Sequence, residues 1–205
     1  ADLGSTPATA DLRRFYNQID LVEDADGETR YFALNIGSGY RAHPLDRAID
    51  EEFYSIRDFK PYTPMPSNDP TYDNPLVRSQ LIDITSKPVI PVSSSSPGWR
   101  LSMNLSEGEK VLGKSLTING VVYFSSFAPG GSANSCTAGK GSNRLYDINL
   151  TWGRPVIDGE VIAESADYDL SDFATELNFG GIASEVYLMS ETETITNPDG
   201  STKEN

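Results

Sequence analysis

GWRLSMNLSEGEKVLGKSLTINGVVYFSSFAPGG, residues 98–131, and NRLYDINLTWGRP, residues 143–155, decide the fold class. Leu116 to Phe127 sets β-branched and aromatic residues around Asn119-Gly120. Both central residues of a type I′ turn take positive φ, which Asn and Gly tolerate, so this pair predicts a tight hairpin. Val121 to Phe124 is a short apolar run suited to a strand covered on both faces. A further strand is predicted over Arg144–Leu150, ending at a turn built on Trp152-Gly153-Arg154-Pro155. Short strands with frequent turn signals describe a sandwich or a propeller blade rather than a helical domain.

Within the same stretch, GEKVLGKS (108–115) satisfies the phosphate-loop pattern. Phosphate binding by that motif requires the glycine loop to open a helix, whose free N–H groups and dipole hold the anion. Here Ser115 is followed by Leu-Thr-Ile-Asn-Gly-Val-Val, which reads strand, turn, strand. The segment is a turn leading into a hairpin.

The chain has 205 residues, long enough for one sizeable core or a piece of a larger architecture. Its 10 Tyr and 8 Phe, with abundant Gly and Pro, fit a loop-rich β protein. A net charge of −14 repels phosphate backbones and anionic membrane surfaces, so nucleic acid is excluded as a partner. No apolar run approaches the length of a membrane span. The chain starts at Ala1 without an initiator methionine or signal-peptide pattern, which reads as a processed or excised segment. Cys136 stands alone, either an isolated thiol or a partner for a cysteine elsewhere.

Upstream of the central stretch, Ile19–Glu23 and Thr29–Ile36 are predicted strands joined at Asp24–Gly27. Asp20, Asp24, Asp26 and Glu28 are the candidate calcium ligands. A full calcium loop needs alternate ligands, a glycine at position six and a bidentate acid at position twelve. Counted from Asp24, those positions are Thr29 and Asn35, so a hairpin turn is the favoured reading. Downstream, Glu164, Asp167, Asp169 and Asp172 form an acidic cluster that fails the same test. His43 is the sole histidine; neither a hydrolase triad nor a zinc site can be assembled around it, and it reads as structural. Glu52–Asp58 is a predicted strand, and Lys60 to Pro75 a proline-rich surface loop. Val77–Ser86 has room for one helical turn, and Glu185–Met189 is a predicted last strand. Residues 191–205 are polar and aperiodic, the pattern of a disordered tail.

Three segments together resemble one family: RRFY (13–16), FALNIGSGYRAHPLD (32–46) and EEFYSIRD (51–58); then QLIDIT (80–85) and residues 98–129; then Cys136 with RLYDINLTWG (144–153). They look like the C-terminal region of the PilY/PilC proteins, associated with the tip of bacterial type IV pili. The residues carrying the signature are Gly37, Gly39, Arg41, His43, Pro44, Trp99, Gly108, Asn119, Gly120 and Cys136.

The resemblance implies an all-β fold, a partial or modified β-propeller with quinoprotein-like blades, long loops and little helix. Residues 1–190 would supply about three to four blades of such a C-terminal domain, out of the usual four to eight. It also implies export to the outer membrane, cell surface or pilus tip. The implied role is non-enzymatic, in pilus assembly, retraction control, twitching and adhesion. Expected partners are the remainder of the same polypeptide, pilins or minor pilins, and a host-surface ligand. Calcium binding is a property of the full-length family, and its D-x-D-x-[DN] loop is not found here, so no cofactor is expected within the segment. Loops Lys60–Pro75 and Pro129–Asn143, with Tyr62, Tyr72 and Ser132, are the expected contact surfaces. Two alternatives stand beside this reading. One is a fragment of a quinone-dependent dehydrogenase, the other a calcium-dependent glycan-binding module.

Overall fold

A computed structural model of the chain describes residues 12–61, 75–131, 139–189, 194–196 and 202–204. Strands β1 (Asp20–Asp26), β2 (Thr29–Gly37), β3 (Glu52–Asp58), β4 (Ile82–Asp83) and β5 (Gly98–Ser102) build the first sheet, ordered β1-β2-β3-β5-β4. All its pairs are antiparallel except β4 with β5. Then come β6 (Lys110–Val111), β7 (Leu116–Ile118), β8 (Val121–Gly130) and β9 (Gly139–Asn149). A small hairpin of β10 (Val156–Ile157) and β11 (Glu160–Val161) follows. Strand β12 (Ala174–Leu177) completes the second sheet, ordered β12-β9-β8-β6, with β7 on the same side of β8 as β6. In the tail segment, β13 (Thr194–Thr196) pairs antiparallel with β14 (Thr202–Glu204).

Local chemistry accounts for the turns. Asn119 and Gly120 take φ of 51° and 75°, and β7 and β8 close directly around them, as the Asn-Gly pair predicts. Asp158-Gly159 does the same between β10 and β11, with φ of 52° and 82°. The first hairpin differs from expectation. Asp24, Ala25 and Asp26 belong to β1, paired with Tyr31, Arg30 and Thr29, and the turn is Gly27-Glu28. Gly27, at φ 62°, supplies the first position of a two-residue turn, which lets the ladder run three residues further.

An aromatic stack joins the sheets. Phe53 on β3 lies parallel to Phe124 on β8, with centroids 3.9 Å apart. Phe124 stacks on Tyr146 of β9 at 4.9 Å, and Phe53 on Trp99 of β5 at 6.0 Å. All four side chains are fully buried, together with Val122, Leu101 and Ile148. Rings of this size supply about 1.5–3 kcal/mol each on burial, so this stack contributes strongly to cohesion between the sheets. Trp99 also donates its indole N–H to the Leu150 carbonyl at 2.9 Å, which satisfies the one polar atom it buries.

The all-β class is as expected, and the helical turn falls at Arg78–Gln80. Among the described residues no ring of blades closes, and no helix is long and apolar enough to cross a membrane. Nor does GEKVLGKS open a helix: it spans β6 and leads into β7. The strand expected over Glu185–Met189 has no ladder partner among the described residues and leaves Tyr187, Leu188 and Met189 exposed. Just before it, the chain is held through side chains instead. Asn143 accepts from the Ala183 N–H at 2.9 Å, and the Ser125 hydroxyl donates to the Ser184 carbonyl at 2.8 Å.

Candidate functional site: a loop clamped by cations at the sheet junction

β2 leaves the first sheet at Gly37 and turns across β6 of the second. The approach is too close for side chains. A Cβ on Gly37 would sit 2.4 Å from Val111 Cβ, and one on Gly39 would sit 2.5 Å from the Val111 carbonyl oxygen. The Val111 N–H donates to the Ser38 carbonyl at 3.0 Å, so backbone hydrogen bonding passes from one sheet to the other here.

Residues 40–47 then form a loop held by cations on carbonyl oxygens. Arg41 donates to the Leu112 carbonyl. Lys110, almost completely buried, donates to the carbonyls of Pro44 (3.2 Å) and Asp46. Arg47 reaches the carbonyls of Pro129 (2.8 Å) and Gly131 (2.5 Å) and pairs with Glu107 at 3.0 Å. Gly108 makes room for Arg47, since a Cβ there would lie 2.7 Å from its Cγ. Burial pushes the Lys110 ammonium below its ordinary value, with Glu51 and Asp46 opposing the shift.

On its outer side the loop carries an aromatic cluster. The Arg14 guanidinium lies 4.1 Å from the Tyr40 ring centroid, Tyr16 stacks on Tyr40 at 5.8 Å, and His43 meets it at 4.6 Å. Tyr16 is 58% exposed and Leu45 68%. Arg14, Tyr40, His43, Pro44, Leu45 and Asp46 line a surface cavity of about 680 Å³.

Behind this loop two adjacent carboxylates have opposite environments. Glu52, buried, faces Arg13 at 3.6 Å, Arg100 at 2.9 Å and Arg78, and accepts the Tyr54 hydroxyl at 2.6 Å. Burial pushes its carboxyl up. Hydrogen bonds from Arg78 and Tyr54 and the charges of Arg13 and Arg100 more than reverse this, and it ends below its ordinary value. Glu51 is also buried, and for it burial prevails over Ser38, Lys110, Arg13 and Arg14, so its carboxyl is raised. In the second sheet Glu109 is the counterpart of Glu52, accepting from Ser126 (2.6 Å), Tyr146 (2.9 Å) and Arg144 (3.0 Å).

The acidic hairpin is arranged otherwise. Asp20, Asp24 and Asp26 lie on the same, inward face of β1, while Glu28 is exposed in the turn. At about 3.3 Å per residue, Asp20 and Asp24 are about 13 Å apart along the strand, too far for one cation. Asp20 accepts from Thr117 at 2.6 Å. Asp24 accepts from Tyr31 at 2.8 Å and Thr151 at 3.0 Å. Arg57 lies 4.6 Å from the Tyr31 ring centroid and donates to the carbonyls of Ser93 (2.7 Å) and Thr151. Burial raises the Tyr31 phenol to about 12, with Arg57 pulling the other way. Among the described residues no three His, Cys, Asp or Glu side chains gather as a metal-holding group.

The structure resembles the crystal structure of the C-terminal domain of PilY1 from Pseudomonas aeruginosa, with a TM-score of 0.53 and 16% identity. The match covers 99% of this chain and 46% of that one. In fold, this chain is similar to the PilY1 C-terminal domain. The resemblance read from the sequence motifs therefore has its counterpart in three dimensions, over a chain spanning less than half of the PilY1 domain's length. No family model matches the sequence, and no curated protein matches it.

The structure gathers five signature residues, Gly37, Gly39, Arg41, His43 and Pro44, in the loop that crosses to the second sheet, and Gly108 supports it through Arg47. Trp99 belongs to the core and Asn119-Gly120 to a hairpin turn. Cys136, Tyr62, Tyr72 and Ser132 lie outside the described residues. The sequence reading missed Arg14, Tyr16 and Tyr40 as a cluster, and Glu52 as an acceptor for arginines. RRFY offered a weak signal for the first. EEFYSIRD offered none for the second, since Glu52, Phe53, Tyr54 and Ser55 are all buried and no alternation marks a polar face.

Proposed function

We propose that this chain is a non-enzymatic component of the type IV pilus system, acting as scaffold and contact surface in pilus assembly, retraction control and adhesion. The observation that carries this reading is the fold likeness to the PilY1 C-terminal domain along 99% of the chain. In this reading the two five-stranded sheets are blades of a modified β-propeller, packed through the Phe53–Phe124 stack and continued by other parts of the same polypeptide. The protein works outside the cell, at the outer membrane, cell surface or pilus tip, and its partners are pilins or minor pilins, with a host-surface ligand in adhesion. Any calcium switch belongs to the full-length protein, outside the β1–β2 hairpin. The pocket at Tyr40 and Leu45 is the contact surface, because loops held on a rigid scaffold are where recognition concentrates.

The test is capture of pilins and minor pilins of the source organism by the immobilised chain, with Leu45→Asp alongside. Retention of a pilin by the wild type and loss in the variant is the expected result. Capture of no pilin, or equal capture by both proteins, contradicts the reading of this surface.

A further inference from the structure

Resting on that reading of the pocket, we infer that its occupant is an acidic peptide segment, with a carboxylate on the Arg14 guanidinium and a neighbouring apolar side chain against Pro44 and Leu45. The first support is charge. The chain as a whole carries −14, yet the pocket presents the Arg14 guanidinium in its wall. Arg41, exposed on the same loop, donates to the Leu112 carbonyl, which orients the cation without cancelling its charge. Lys110 and Glu51 are both buried behind the pocket and outside its lining, so the charges on this loop surface are Arg14 and Arg41 against Asp46. Opposite potential on a partner follows from complementarity.

The second support is the state of Arg14. It forms no ion pair among the described residues, and its guanidinium is held over the Tyr40 face. A planar guanidinium placed this way is pre-organised, and its N–H edge fits a carboxylate in a two-pronged contact. The third support is the lining. Ala42, Pro44, Leu45 and the Tyr40 ring present carbon, with Arg14, His43 and Asp46 as the polar groups. A sugar brings many hydroxyls that must each find a partner, and this wall offers few. An aliphatic or aromatic side chain beside an acid meets both halves of the pocket.

The test uses two capped pentapeptides differing in one residue, Glu or Gln, next to a leucine, titrated onto the purified chain by NMR or calorimetry. The Glu peptide is expected to bind about fivefold more tightly, with the gap closing as salt rises. In Arg14→Gln the two peptides bind alike, while Arg30→Gln, which alters an exposed arginine on β2, keeps the wild-type preference. Circular dichroism confirms that both variants fold. Equal binding of the peptides to wild type, or a preference that survives Arg14→Gln, overturns the inference. So does an acidic oligosaccharide that binds this face while neither peptide does. If pilin is captured but the Glu peptide does not compete for it, the inference fails and the contact-surface reading stands; if no pilin is captured, that reading fails by itself.

Discussion

The acidic β1–β2 hairpin and the loop over residues 37–47 are both dense in charge, and they use it in opposite ways. In the hairpin, Asp20 and Asp24 are satisfied by hydroxyls of Thr117, Tyr31 and Thr151, and Arg57 stands over the Tyr31 ring beside them. Those acids are spent on holding neighbouring elements. At the loop, Arg41 and Lys110 donate to carbonyls and fix its backbone, and Arg14 is held over the Tyr40 ring with no carboxylate partner among the described residues. The lesson is that a residue's partners, more than its type, determine whether it is available to a ligand. The aspartates, read from the sequence as a hairpin turn with only candidate calcium ligands, hold neighbouring elements, and the stretch of glycines and arginines is the better candidate for a binding site.

The largest expected effect separates the glycines of the two regions. Gly39→Ala drives a Cβ to within 2.5 Å of a backbone oxygen that cannot yield, so it should destabilise by about 3 kcal/mol. Gly27→Ala meets nothing within 4 Å and pays only for its φ of 62°, about 1 kcal/mol. Urea melts of the two variants check the ratio, and equal losses would break the contrast.

Next comes Glu52→Gln, which leaves Arg13, Arg78 and Arg100 around a neutral group and should cost about 3 kcal/mol at neutral pH. The folded carboxyl lies below its ordinary value of 4.5. Its contribution is therefore complete above that pH and shrinks as pH falls below it. Glu51 has the opposite sign: a raised carboxyl favours the fold at low pH and disfavours it as pH rises through the folded value. Melts across pH 3–7 should show the deficit of Glu52→Gln narrowing on acidification, and Glu51→Gln gaining on wild type as pH rises.

The smallest effect is in the hairpin. Asp24→Asn weakens charge-assisted bonds from Tyr31 and Thr151 and should cost about 1 kcal/mol. Calcium titration should give no heat with wild type or variant. Micromolar binding lost in Asp24→Asn would reverse the roles assigned to the two regions.

Much of the fold was legible because the β architecture announces itself locally. Asn119-Gly120 and Asp158-Gly159 demand positive φ, and the strands around them follow. The parts that were not legible depend on distant partners. β1 reaches Asp26 because Gly27-Glu28 makes the turn, which Asp24-Ala-Asp-Gly conceals. Glu185–Met189 has the composition of a strand but no edge to pair with among the described residues. The loop residues were singled out through family resemblance, whereas their physical reason, passage of Gly37 and Gly39 against Val111, lies 72 to 74 positions away in the chain. Arg14 and Tyr40 meet where the Gly39 N–H bonds to the Arg14 carbonyl at 2.9 Å.

Lys110, buried behind the loop and bonded to the Pro44 and Asp46 carbonyls, holds it as a rigid platform joining the two sheets. Lys110→Met removes that hold, since methionine fills the same space without the charge. Hydrogen exchange should accelerate at the amides of His43 and Asp46, which close the loop's turns, while β2 and β8 stay protected. Unchanged exchange at those amides would show that Lys110 does not hold the loop.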